Sequence, residues 1–136
     1  MTQIIKIAIA EDISKLAQAL KEKIELAVEF KVVEIVSNGS EMVKRLENNH
    51  AVDVIFMDIN MPEMDGLTLL SRLGESNPLI KSVIVSAYGD MENIRTAMNR
   101  GAFDFITKPI NFEDLQVTME KTLKHVLHIK DTLKAI

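Results

Sequence analysis

The 136-residue chain contains no cysteine. That excludes disulfides and thiolate metal sites and fits a reducing compartment, so the cytoplasm is the expected location. No apolar run approaches the ~20 residues a membrane-spanning helix needs. The opening residues do not read as a secretory leader: Ile4–Ala10 is short, holds Lys6 and runs straight into Glu11 and Asp12. Positive charge is not in excess. The formal net charge is −4, which gives no basic footprint for nucleic acid. Internal repeats and low-complexity segments are also absent. What is present, 47% hydrophobic and 26% charged residues, is the balance of an ordinary globular protein. The length suggests one domain, long enough for a core without staples. Its bounds are set at 1–128, with 129–136 as the start of a C-terminal helical extension or linker.

Short apolar runs alternate with helical periodicity along the whole chain. Ile4–Ala10, Val32–Val36, Asp53–Met57, Ser82–Ser86 and Phe103–Thr107 read as strands. Between them, Ile13, Leu16, Ala17, Leu20, Ile24 and Ala27 predict an amphipathic helix over about 14 to 29. Met42, Val43 and Leu46 mark a short second helix after an Asn38-Gly39 turn signal. Leu67, Leu69, Leu70 and Leu73 mark a third, with Gly74 as its expected stop. Asp90 is the expected N-cap of a fourth helix that Gly101 ends, and Asn111 that of a fifth. Five strands alternating with five helices predict an α/β fold with a parallel sheet and helices on both faces.

In such a sheet all carboxyl ends share one edge, where open α/β folds bind ligands. The strand ends place Glu11-Asp12, Asp58, Ser86 and Lys108 there. Each residue alone has an unremarkable explanation. Acids suit a helix N-terminus, serine ends strands, and most lysines are solvated. Together they do not, because clustered carboxylates repel and raise one another's pKa values. Such a cluster calls for a cation, and an all-oxygen set suits Mg²⁺ rather than zinc. Asp58 is then placed to attack phosphorus and form an aspartyl-phosphate, with Lys108 and Ser86 supplying positive charge and a hydroxyl.

Four motifs stand in order: Glu11-Asp12; Met57-Asp58-Ile59-Asn60-Met61-Pro62-Glu63-Met64-Asp65-Gly66; Val85-Ser86-Ala87; and Gly101-Ala102-Phe103-Asp104-Phe105-Ile106-Thr107-Lys108-Pro109. With these the chain resembles the receiver domains of response regulators in two-component signalling, the CheY-like family, over about residues 4 to 128. The resemblance implies a (βα)5 flavodoxin-like sheet of order 2-1-3-4-5. It implies that Asp58 accepts phosphate from a histidine-kinase phosphohistidine or a phosphotransfer protein. It implies Mg²⁺ held by Glu11, Asp12, Asp58 and the Asn60 backbone carbonyl, with Lys108 pairing with the phosphoryl group and a cis Lys108–Pro109 bond. Ser86 would be the switch hydroxyl. Phe105 stands at the switch aromatic, where tyrosine is frequent. The face formed by the fourth helix, fifth strand and fifth helix would carry the signal to an output. Such a domain catalyses only its own phosphorylation and dephosphorylation. Tyr88, two residues past Ser86, is expected at the mouth of the site, where its ring could shield the acyl phosphate from water.

Two other readings fit less well. A haloacid-dehalogenase-type phosphatase needs a second acid two residues after its nucleophile, where this chain has Asn60. A flavodoxin-like flavin binder needs a phosphate-cradling loop after strand one, where Glu11 and Asp12 place negative charge instead. A receiver fold that is never phosphorylated normally lacks an acid or the lysine, and all are present.

No glycine or proline follows position 128 to stop the fifth helix. Met119, Thr122, Val126, Ile129, Leu133 and Ile136 form a heptad-like seam. This predicts a helix running beyond residue 128 and a weak, parallel homodimer through it, with an output domain following Ile136.

Overall fold

The computed structural model describes residues 3–48, 51–87 and 89–135. Among these are five strands and five helices in strict alternation: β1 (Ile5–Ala10), α1 (Ser14–Ile24), β2 (Phe30–Val36), α2 (Gly39–Asn48), β3 (Val54–Asp58), α3 (Gly66–Ser76), β4 (Lys81–Ala87), α4 (Met91–Asn99), β5 (Asp104–Lys108) and α5 (Phe112–Lys134). All strand pairs are parallel, and the sheet order is β2-β1-β3-β4-β5. The expected (βα)5 fold and strand order are therefore the observed ones. No helix among the described residues is long and apolar enough to cross a membrane.

The central strands are apolar because both their faces are covered. Ile5, Ile7, Ile9, Val54, Phe56, Val83, Val85 and Ile106 pack with Ala17, Leu20 and Ile24 of α1 and Leu115, Met119 and Val126 of α5. The alternate residues Ala8, Ala10, Ile55, Met57 and Ile84 pack with Met42, Leu46, Leu69, Leu70, Leu73 and Ala97 of α2, α3 and α4. Every residue of β3 is buried, which places Asp58 at the end of the least exposed strand.

Four expectations about local structure need correction. α1 stops at Ile24 rather than 29. There Glu25 turns its carboxylate onto the Val32 N–H at 3.0 Å, and Leu26 and Val28 are 71% and 78% exposed. A local side-chain bond to β2 has outcompeted another helical turn. Gly74 lies inside α3, which runs to Ser76. Pro78 sets that end, because the residue before a proline is driven out of helical conformation. Asp90 occupies the N-cap position of α4, yet its side chain caps nothing. The heptad seam is not free. Met119, Thr122 and Val126 are buried, Met119 and Val126 within the sheet core, so the seam's first half is the stripe with which α5 grips its own domain. Ile136 lies outside the described residues.

α5 continues without a break to Lys134. Its last turns lie along a cavity of about 440 Å³ at the amino ends of the strands, lined by Val52, Leu79, Ile80, Val126, Ile129 and Leu133 among others. Lys130 Nζ reaches Asp53 Oδ1 at 3.2 Å. The extension is thus docked on the domain that it leaves.

Two glycines fix the loop after β3 by close approach. A Cβ on Gly39 would meet the Met64 carbonyl oxygen at 2.7 Å, and one on Gly66 would strike the carbonyl oxygen of Asp58. Backbone bonds run through both contacts: Gly39 N–H to Met64 O at 3.0 Å, and Gly66 N–H to Ile59 O at 2.9 Å. Asp65 then starts α3 by accepting the Thr68 N–H at 2.8 Å.

Gly66→Ala is expected to lower stability by about 1–3 kcal/mol in denaturant titrations, the usual cost of forcing extra volume into a packed site, and to displace the Asp58 backbone. A melting curve equal to the parent's would contradict that close contact. Leu133→Glu is expected to speed amide exchange over residues 127–134. Sedimentation tests the expected dimer: self-association that Leu133→Glu abolishes supports it, and a strict monomer defeats it.

Candidate functional site

Three strand ends bring four charged groups to the carboxyl edge of the sheet. β1 leads into Glu11, whose N–H extends the pairing by donating to Val36 O at 2.9 Å. The Glu11 side chain is buried, and its Oε2 accepts the Ile13 N–H at 3.2 Å. Asp12 follows and is exposed. Asp58 is the last residue of β3 and only 6% exposed, with Oδ1 accepting the Asn60 N–H at 3.3 Å. Lys108 ends β5, immediately before the cis bond to Pro109. Its Nζ lies 3.0 Å from Glu11 Oε1 and 3.2 Å from Asp58 Oδ2. One ammonium therefore bridges the carboxylates of two different strands.

Burial pushes the Glu11 carboxyl above the usual glutamate range, and the neighbouring Asp12 and Asp58 push it the same way. Hydrogen bonds from Lys108 and from the Ile13 backbone oppose this without overcoming it. At Lys108 burial pulls the ammonium down, but its contacts with Glu11 and the charge of Asp58 outweigh burial and hold it above the ordinary lysine value. The ammonium is therefore firmly charged at neutral pH, while Glu11 keeps a desolvation cost that a single lysine does not fully offset.

The donor set fits a hard cation. Glu11, Asp12 and Asp58 each offer a carboxylate oxygen, and these atoms lie within 4.8 Å of one another. No histidine or cysteine belongs to the group, so its chemistry favours oxygen-seeking ions. Beside it, Glu11, Asp12, Ser14, Asn38, Glu41 and Arg45 border a cleft of about 370 Å³ between α1 and α2. The larger cavity at the opposite edge has no such chemistry, because its acid, Asp53, is already paired with Lys130.

Ser86 is buried at the end of β4, in register with Thr107 of β5. Its hydroxyl donates to Asp90 Oδ2 at 3.3 Å. Phe105 sits outward on β5, 36% exposed. Tyr88, placed at the mouth of the site by its sequence position, lies outside the described residues. The sequence reading gave Asp90 no part in the site, although a capping residue four positions after a strand-end serine is within reach of it. It also missed Asp104, whose Oδ2 takes the Thr118 hydroxyl at 3.0 Å and the Lys121 ammonium at 3.0 Å. That node ties β5 to α5 directly beside Phe105, and no sequence spacing announces it.

Comparison with known proteins agrees with this edge. The family model for the response regulator receiver domain matches residues 7–120. The chain is 32% identical over 120 residues to the chemotaxis protein CheY of Listeria monocytogenes, covering 88% of this chain and 99% of that protein. It is 34% identical over 99 residues to the transcriptional regulatory protein ZraR of Escherichia coli O157:H7, covering 73% of this chain but 22% of that protein. The chain thus spans about a fifth of the length of the longer regulator. Among solved structures, a response regulator receiver domain protein from Clostridium thermocellum superposes with a TM-score of 0.80 at 26% identity, over 96% of this chain and 99% of that one. A family match across most of the sheet, a relative aligned over nearly its whole length and the same strand order identify this chain as a member of the response regulator receiver domains of two-component signalling.

Proposed function

We propose that this receiver is phosphorylated on Asp58 and that a phosphohistidine, on a histidine kinase or a phosphotransfer protein, is the donor. The observation that supports this most directly is the bridge from Lys108 to Glu11 and Asp58, at 3.0 and 3.2 Å. It leaves Asp58 as the buried carboxylate at mid-sheet with a cation beside it. In the transfer, an Asp58 carboxylate oxygen forms the new bond to phosphorus. The phosphorus–nitrogen bond of the donor breaks, and the imidazole leaves with its electron pair. Lys108, held in the charged state, turns from a carboxylate partner into a phosphoryl partner.

Glu11, Asp12 and Asp58, with the Asn60 backbone carbonyl, would hold Mg²⁺, which neutralises phosphoryl oxygens when bound. The remaining steps belong to the chain itself. Burial of Asp58 limits access of water to the acyl phosphate. Ser86 turns its hydroxyl toward the new oxygens, since phosphorylation adds about −1.5 to −2 of charge and strong acceptors at Asp58. The space it leaves admits Phe105, and the face of α4, β5 and α5 repacks into a second state. The domain therefore acts as a switch and turns over nothing but its own phosphate.

Asp58→Asn is expected to keep the fold and to abolish the gain of one phosphoryl mass on incubation with acetyl phosphate. Excess EDTA should do the same to the unsubstituted protein. Labelling of Asp58→Asn at the parent level would refute the acceptor, and labelling at the parent level in EDTA would refute the metal requirement. Ser86→Ala is expected to accept phosphate yet lose most of the phosphorylation-dependent NMR shift changes over residues 90–110. Unchanged shifts there on phosphorylating the unsubstituted protein would overturn the switch.

A further inference from the structure

Asp90 stands at the N-cap position of α4 with a side chain suited to capping, yet it makes no capping bond. Its Oδ2 instead accepts from the Ser86 hydroxyl at 3.3 Å and from Asn93 Nδ2 at 3.0 Å. The connection is built to bring it there. Asp90 N–H bonds back to Ala87 O at 3.2 Å, and Gly89 takes a φ of +87°, in the left-handed region that favours glycine. The tight turn folds the carboxylate back over the end of β4, where Ser86 is 1% exposed.

We propose that Asp90 is a positioning residue that holds the Ser86 hydroxyl away from Asp58 in the unphosphorylated state, and that its release couples the site to α4. The proposal rests on the reading of Asp58 as the phosphoacceptor and of Ser86 as the switch hydroxyl. A serine hydroxyl carries one proton, so it donates either to Asp90 or to a phosphoryl oxygen, never to both. Asn93 pins the carboxylate, which keeps the acceptor in place while the serine is on it. When Ser86 turns inward, Asp90 loses one of its two side-chain partners and becomes free to accept the α4 backbone N–H of Glu92 or Asn93, the ordinary N-cap geometry. Phosphate at Asp58 would then be read twice: as space for Phe105, and as a newly capped first turn of α4.

Two measurements test this. The first needs no phosphate: amide exchange over residues 91–94 in the parent, Ser86→Ala, Asp90→Ala and the double variant. Ser86→Ala, which frees Asp90 to cap the first turn, is expected to slow exchange several-fold, and adding Asp90→Ala, which removes that cap, is expected to abolish the slowing. Unchanged or faster exchange in Ser86→Ala, or slowing that survives in the double variant, would overturn the latch and leave Asp90 as a local helix residue. The second is labelling with acetyl phosphate and Mg²⁺. Asp90→Ala is expected to label several-fold faster than the parent, and to lose that advantage when Ser86→Ala is added. Labelling at or below the parent rate, or an advantage that survives in the double variant, would also overturn it. Should Asp90→Ala fail to fold, Asp90→Gly, which is tolerated at an N-cap but has no side chain to hold Ser86 or to cap, takes its place with the same expected results. A parent protein that never labels would refute the phosphoacceptor reading, and the exchange experiment would still decide the latch.

Discussion

The bridge from Lys108 to Glu11 and Asp58 is the constraint on which the carboxyl edge depends. β1, β3 and β5 all end there, and two of these ends are buried carboxylates. Without a cation between them, desolvation and mutual repulsion would favour protonation or an opened edge. The lysine comes from the far strand of the sheet, so its reach also ties β5 to the two strands at mid-sheet. The pair is neither a surface ion pair of small consequence nor a fully saturated buried one. Two acids face one ammonium, and Asp12 adds a third carboxylate at the rim. The edge is consequently left acidic, as the proposed site for a cation and a phosphoryl group would require.

Much of this was legible because the sheet is parallel and strictly alternating. Once Val54–Asp58 is read as a buried strand, topology alone carries Glu11, Asp58, Ser86 and Lys108 to one edge, and the structure places Glu11 just after β1 and the others on β3, β4 and β5. Asn111 was also legible as a cap, and it accepts from the Glu113 and Asp114 N–H groups at 2.8 and 3.2 Å. In these places local chemistry and global fold agree, which is where a sequence is most easily read.

Two of the misreadings share a cause: a side chain whose tertiary partner overrode its local preference. Glu25 would extend α1 by propensity, yet it bonds to the β2 backbone. Asp90 would cap α4, yet it faces Ser86. Gly74 signals a stop, yet it sits open to solvent inside a helix that a later proline ends. The α5 seam has the period of a coiled coil because an amphipathic helix gripping a sheet presents nearly the same period over so few turns. Spacing cannot distinguish those two partners, whereas burial of Met119 and Val126 in the sheet core assigns the seam's first half to the sheet.

The two ends of the sheet are built for opposite purposes. At the amino edge Asp53 is saturated. Its carboxylate takes the Lys6 N–H at 2.9 Å and the Lys130 ammonium at 3.2 Å. Its backbone bonds to Lys6 O and accepts from the Lys81 N–H, at 2.8 and 3.0 Å. One residue thereby fastens β1, β3, β4 and α5 together. At the carboxyl edge the equivalent groups have more acceptors than donors: Lys108 divides itself between two acids, and Ser86 has one proton for Asp90 or for whatever arrives at Asp58. A switch requires that asymmetry. Interactions that are fully satisfied resist change, while a shared proton or a shared ammonium can be redistributed by one added charge. Under the proposed switch, the firmly tied amino edge would let such a redistribution at the other end move α4 and β5 without loosening the sheet that carries them.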